Sequence, residues 1–139
     1  MEDLKQALFV QIYDYLKYEV FPVVHTGNTI IDLAINYIDF ANREKKLYSS
    51  LYLEQYGGGS EVQNFSYHYF VETVKSDPEY ADLSDEQIES LHNTTWIIAT
   101  GLASLMSSNI IYPTHEQIEK MMKDSIDATL NQKKLVKVD

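Results

Sequence analysis

One stretch, Ile88 to Ile110, constrains this chain more than any other. Two rows of apolar and small residues run along it. The first is Ile88, Leu91, Thr95, Ile98, Leu102 and Leu105, spaced 3, 4, 3, 4, 3. The second is Trp96, Ala99, Ala103, Met106 and Ile110, spaced 3, 4, 3, 4. A period of about 3.6 residues excludes a strand and demands an α-helix. Two rows predict a helix covered on most sides. One row can face the chain's own core. The other then needs a further cover, and a second subunit is the economical one. Small residues cluster here as well: Ala99, Gly101, Ala103, Ser104, Ser107 and Ser108. Glycine inside a helix costs about 1 kcal/mol relative to alanine, which close approach of another helix would offset. The last helix offers Ile118, Met121, Met122, Ser125, Ile126 and Thr129 to complete the contact. The expected dimer interface is therefore Ile88, Leu91, Thr95, Ile98, Leu102 and Leu105 with Ile118, Met122, Ser125 and Thr129. Two helices from each subunit would form a four-helix bundle. A monomeric bundle around one central helix is the competing reading.

Helix signals dominate the rest of the chain. A first helix is expected from Glu2 to Val20, with Leu4, Leu8, Ile12, Tyr15, Leu16 and Val20 on one face and Pro22 after it. Asn28 is a plausible cap for a second helix to Arg43, whose inner face is Ile31, Ala34, Ile35, Ile38 and Ala41. A short apolar helix from Leu47 to Tyr56 ends at Gly57-Gly58-Gly59. Ser60 with Gln63, Ser84 with Gln87, and Thr114 with Gln117 are capping-box pairs that open the last three helices. Asp77-Pro78 starts a turn. Val23-Val24 and Val136 to Val138 are too short and isolated for strands. The expectation is an all-α bundle of about six helices, one domain over 1–132, with 133–139 a frayed tail.

The formal net charge of −10 repels phosphate backbones and anionic membranes, so this chain is not expected to bind DNA or lipid unaided. It has no cysteine, which removes disulfides, thiolate metal sites and cysteine nucleophiles and fits a reduced cytoplasmic setting. No apolar run reaches membrane-spanning length.

Three parts of the sequence resemble TetR-like transcription regulators. Trp96-Ile97-Ile98-Ala99-Thr100-Gly101-Leu102-Ala103-Ser104-Leu105 is similar to that family's Trp-x-x-x-His-Gly-Leu-Ala-x-Leu stretch, with Thr100 in place of His. Arg43-Glu44-Lys45-Lys46-Leu47-Tyr48 resembles its x-Pro-x-Leu-Tyr entry to a short middle helix, without the proline. Glu2-Asp3-Leu4-Lys5-Gln6-Ala7-Leu8 resembles the Lys-Glu-Asp-Leu-Leu-x-Ala that opens its linker helix. The resemblance implies the C-terminal effector-binding and dimerisation domain of a bacterial, cytoplasmic regulator. It implies a homodimer that reaches DNA only through a helix-turn-helix headpiece, which has no counterpart among these residues.

The same resemblance places the chain's aromatic residues around an effector cavity. Tyr37, Phe40, Tyr52, Phe65, Tyr69 and Trp96, with His68, Asn93 and Thr100 as polar ends, are the candidate lining for a small apolar or amphipathic molecule. Aromatics at helical spacing also serve as plain core. Catalysis and cofactors are not expected. Glu89-x-x-His92 has the spacing of half a carboxylate-bridged di-iron site, but no second Glu-x-x-His exists. His92 reads instead as a polar residue near the start of the long helix. No Gly-x-Ser-x-Gly occurs, and the glycine triplet lacks the lysine of a phosphate loop. Two alternatives stay open: a helical pairing module without an effector, and a headless relative that acts by forming heterodimers.

Overall fold

The computed structural model describes residues 2–53 and 59–131, and among these the chain is helical without a strand. The elements are α1 (Glu2–Tyr15), a π-helical turn (Leu16–Val20), α2 (Thr29–Arg43), α3 (Lys45–Tyr48) and a second π-helical turn (Ser49–Leu53). There follow α4 (Gly59–Ser76), a 3-10 turn (Pro78–Tyr80), α5 (Asp85–Ser107) and α6 (His115–Leu130). Gly57, Gly58, the side chain of Ser60, and the tail 133–139 lie outside the described residues, and with them the expected helix stop, the first capping box and the frayed end.

The helix starts follow local chemistry. Asn28 caps α2, its side chain accepting from the amides of Ile30 and Ile31. Ser84 and Thr114 form complete capping boxes with Gln87 and Gln117. The end of α5 is a Schellman motif. Asn109 takes φ 59, its amide bonds Met106 O at 3.0 Å, and the Ile110 amide bonds Leu105 O at 2.9 Å.

α2 is the helix enclosed on nearly all sides. It packs against α4, α5 and α6, and Ile30, Ile35, Ile38 and Phe40 are almost fully buried. Two buried polar residues on it hold the preceding loop. Asn36 donates to the carbonyls of Phe21 and Val23 at 2.9 and 2.8 Å, and its Oδ1 meets His25 Nε2 at 2.7 Å. Asp32 accepts from the amide and hydroxyl of Thr26 and from the Gly27 amide, which bends through φ 88 where a side chain would be strained. These bonds satisfy loop groups that burial would otherwise leave unpaired.

This arrangement corrects the expectation for α5. Ile88, Leu91, Thr95 and Leu102 are only 0–7% exposed within a single chain, as are Ile118, Met122 and Thr129 on α6. Placed at a subunit interface by the sequence, they form the chain's own core. The reason is geometric. At about 100° per residue the two rows of α5 lie about 90° apart, so they are flanks of one wide inner face rather than opposite sides. Ile98 and Ser125 are half-buried, and Leu105 is exposed. The open side of α5 carries Ile97, Gly101, Ser104, Leu105 and Ser108 instead.

α1 departs from its expected face in part. Leu16 and Val20 are buried and Tyr13 stacks on Phe65 of α4 at 4.4 Å, but Leu4 and Leu8 are exposed. No described element covers the first turns of this helix.

Candidate functional site

Two helices contribute matching rows to one cavity, and a third closes it. Ile30, Leu33, Ala34 and Tyr37 come from α2, and His92, Thr95, Trp96 and Ala99 from α5. Both sets sit at i, i+3, i+4 and i+7, which brings them to one face of each helix. Ser66 and Phe70 of α4 and Phe21 from before α2 complete the wall. The cavity is half-open and measures about 50 Å³. Leu33, Ser66, His92 and Trp96 are its half-exposed members and form the mouth; Phe21, Phe70, Thr95 and Ala99 are buried.

Among the described residues no charged side chain lines the cavity. Its one imidazole among the described residues is His92, set among other rings. Tyr67 and Phe70 meet it edge-on at 4.7 and 5.1 Å, and Trp96 lies nearly parallel at 6.1 Å. Burial holds the His92 pKa below its ordinary value, and only a long 3.5 Å contact to Asn93 Oδ1 opposes this. His92 is therefore neutral near pH 7.

Hydroxyls gather behind the wall. Tyr37 OH pairs with Tyr48 OH at 2.7 Å and with Thr100 Oγ1 at 3.1 Å. Tyr52 OH pairs with Ser66 Oγ at 2.8 Å. Burial pushes the Tyr48 and Tyr52 phenols well above their ordinary range, so both stay protonated. This network fixes the rings of α3 and the turn after it against α2, with Tyr37 and Tyr52 edge to face at 5.3 Å.

Of the residues expected from sequence, Tyr37 and Trp96 line the cavity. Tyr52 and Thr100 touch lining residues through their hydroxyls, and Asn93 touches His92. Phe40 is full core, and Phe65 stacks on Tyr13. Tyr69 packs on Phe21 at 5.1 Å from outside the cavity, and His68 is exposed. Sequence reasoning missed His92, Ser66 and Phe70, and it assigned Thr95 to the subunit interface. The signal that could have found them was phase: His92 and Thr95 share a helical face with Trp96. As for the half di-iron spacing, Glu89 is exposed while His92 turns inward, and no metal-binding group of three appears among the described residues.

A second surface stands out on α5. Ile97 is 52% exposed and Leu105 is 40% exposed. Between them Gly101 leaves open space, with nothing within 4 Å of where a Cβ would stand. Ile110, Tyr112 and Met121 continue the exposed apolar surface around the turn into α6, where Ile110 and Met121 line one shallow groove. No helix among the described residues is long and apolar enough to cross a membrane.

No family model, curated protein or solved structure matches this chain.

Proposed function

We propose that this chain is the sensing and pairing domain of a TetR-like transcription regulator. A small apolar or amphipathic effector enters the cavity between α2, α4 and α5. Two copies pair through the open side of α5 and the adjoining surface of α6. DNA is reached through a headpiece outside these residues, joined ahead of α1.

The observation that carries this reading is the double role of α5. One side of it walls the cavity with His92, Thr95 and Trp96, while the other presents Ile97, Gly101 and Leu105 to solvent. A ligand that shifts α5 can therefore bias how two subunits sit together. It does so only to the extent that it binds the two arrangements unequally. Mid-helix glycine with open space beside it supports close approach of a second helix, because no described residue packs there to offset its helix cost.

The test is sedimentation equilibrium of the chain. A dimer is expected in the micromolar range. Leu105→Glu should give a monomer with unchanged helical circular dichroism, since the side chain is already partly in water. A chain that stays monomeric to millimolar concentration removes the pairing role. One observation favours a second reading, a pairing module without an effector: the cavity, at about 50 Å³, is small. That reading predicts dimers whose stability no small molecule alters.

A further inference from the structure

The polar groups of the cavity differ in what they have left to give. Thr95 spends its proton on the Leu91 carbonyl at 2.7 Å. Ser66 Oγ is engaged by Tyr52, and Tyr37 OH by Tyr48 and Thr100. The Nδ1 of His92 lies 3.5 Å from Asn93 Oδ1, an oxygen that can only accept, and the tautomer that serves this contact carries its proton on Nδ1. Nε2 is then an acceptor, with no partner among the described residues. Trp96 adds its indole N–H, a donor with no partner among the described residues, so the unspent capacity of this wall is one acceptor, Nε2, beside one donor.

The remaining walls restrict the ligand further. Phe21, Phe70 and Trp96 present rings, which suits a flat apolar body. With no charged residue in the described lining and His92 neutral, a carboxylate or ammonium would find no counter-charge there. The volume of about 50 Å³ is below the roughly 150 Å³ that holds benzene in an engineered apolar cavity. One ring is larger than this space, so its entry requires the half-exposed Leu33 and Trp96 at the mouth to part.

We propose that the cavity takes a neutral one-ring aromatic molecule bearing a single hydroxyl or N–H donor, of the phenol class, with that donor bonded to Nε2 of His92. This rests on the sensing role proposed above and names the chemistry of its ligand.

Trp96 is the chain's single tryptophan, so its indole N–H resonance reports on this cavity alone. The protein would be titrated with phenol, benzene and benzoate while that resonance is followed by NMR. Phenol should shift it saturably and bind about five- to tenfold tighter than benzene, the worth of one net hydrogen bond. Benzoate should give no saturable shift. In His92→Leu, phenol should fall to the affinity of benzene, while unchanged benzene binding shows that the cavity is intact. The comparison of phenol with benzene in the unaltered protein stands even if that variant does not fold. Benzene binding as tightly as phenol, or benzoate binding best, overturns the proposal and leaves the sensing role in place. No saturable response to any of the three overturns both.

Discussion

Replacing Gly101 with alanine should stabilise the single chain and weaken its pairing, two effects of opposite sign from one methyl group. Gly101 lies in the interior of α5, and a Cβ there meets nothing within 4 Å. Within one chain the change therefore carries no steric cost and gains the helix propensity of alanine, about 1 kcal/mol. Unfolding entropy for a chain of this length is about 290 cal/mol/K, so the melting temperature should rise by about 3 °C. At a two-fold interface each subunit contributes its own new methyl. Forcing one into a packed contact costs about 1–3 kcal/mol, so the pair loses at least about 2 kcal/mol, or roughly thirtyfold in dissociation constant. Urea unfolding at concentrations below the dissociation constant isolates the first effect, because dimer stability depends on concentration. Sedimentation equilibrium measures the second. An alanine chain that is more stable and pairs just as tightly refutes the reasoning, for then no second helix approaches at Gly101. A chain that is less stable refutes the open-space premise itself.

Asn28→Ala removes the cap on α2 and the bond from Asn28 Nδ2 to Tyr80 OH at 2.8 Å, so it should cost about 2 kcal/mol in urea unfolding. A loss below about 0.5 kcal/mol would mean that water replaces both. Asn36→Leu leaves the carbonyls of Phe21 and Val23 without their donor and should cost about 2–4 kcal/mol, with faster amide exchange across the 21–28 loop as the accompanying sign. The His92 pKa is lowered in the fold from 6.5, so below about pH 6.5 the unfolded chain binds a proton that the folded chain refuses. Stability should therefore be full above that pH and fall as the pH drops through it, levelling only once the folded form also protonates. Unfolding curves recorded across this range should flatten selectively in His92→Gln; an equal slope in both proteins would place the effect in other groups.

The elements that were legible in the sequence are those whose causes lie within a turn of the residue concerned. Asn28, Ser84 and Thr114 cap helices because their partners stand two or three positions on, and Asp77 bonds the Glu79 amide at the 3-10 turn for the same reason. Periodicity also gave α5 as a helix, but it records which residues are apolar and not what covers them. Two apolar rows about 90° apart describe a wide core face as well as they describe a core face beside a subunit interface. Only the bulk of the bundle decides, and both α2 and α6 pack against α5 within the one chain. The enclosure of α2 was hidden for a related reason. Asp32 and Asn36 look like the wet side of an amphipathic helix, yet both are buried because the loop before α2 folds back to use their oxygen and nitrogen atoms. His92 was hidden in the same way, as a polar residue whose surroundings come from α4, far along the chain. What survives of the pairing argument is the part that the core does not consume. Once Ile88, Leu91, Thr95 and Leu102 are spent inside, Ile97, Gly101 and Leu105 remain, and a glycine that no contact among the described residues requires is the strongest of them.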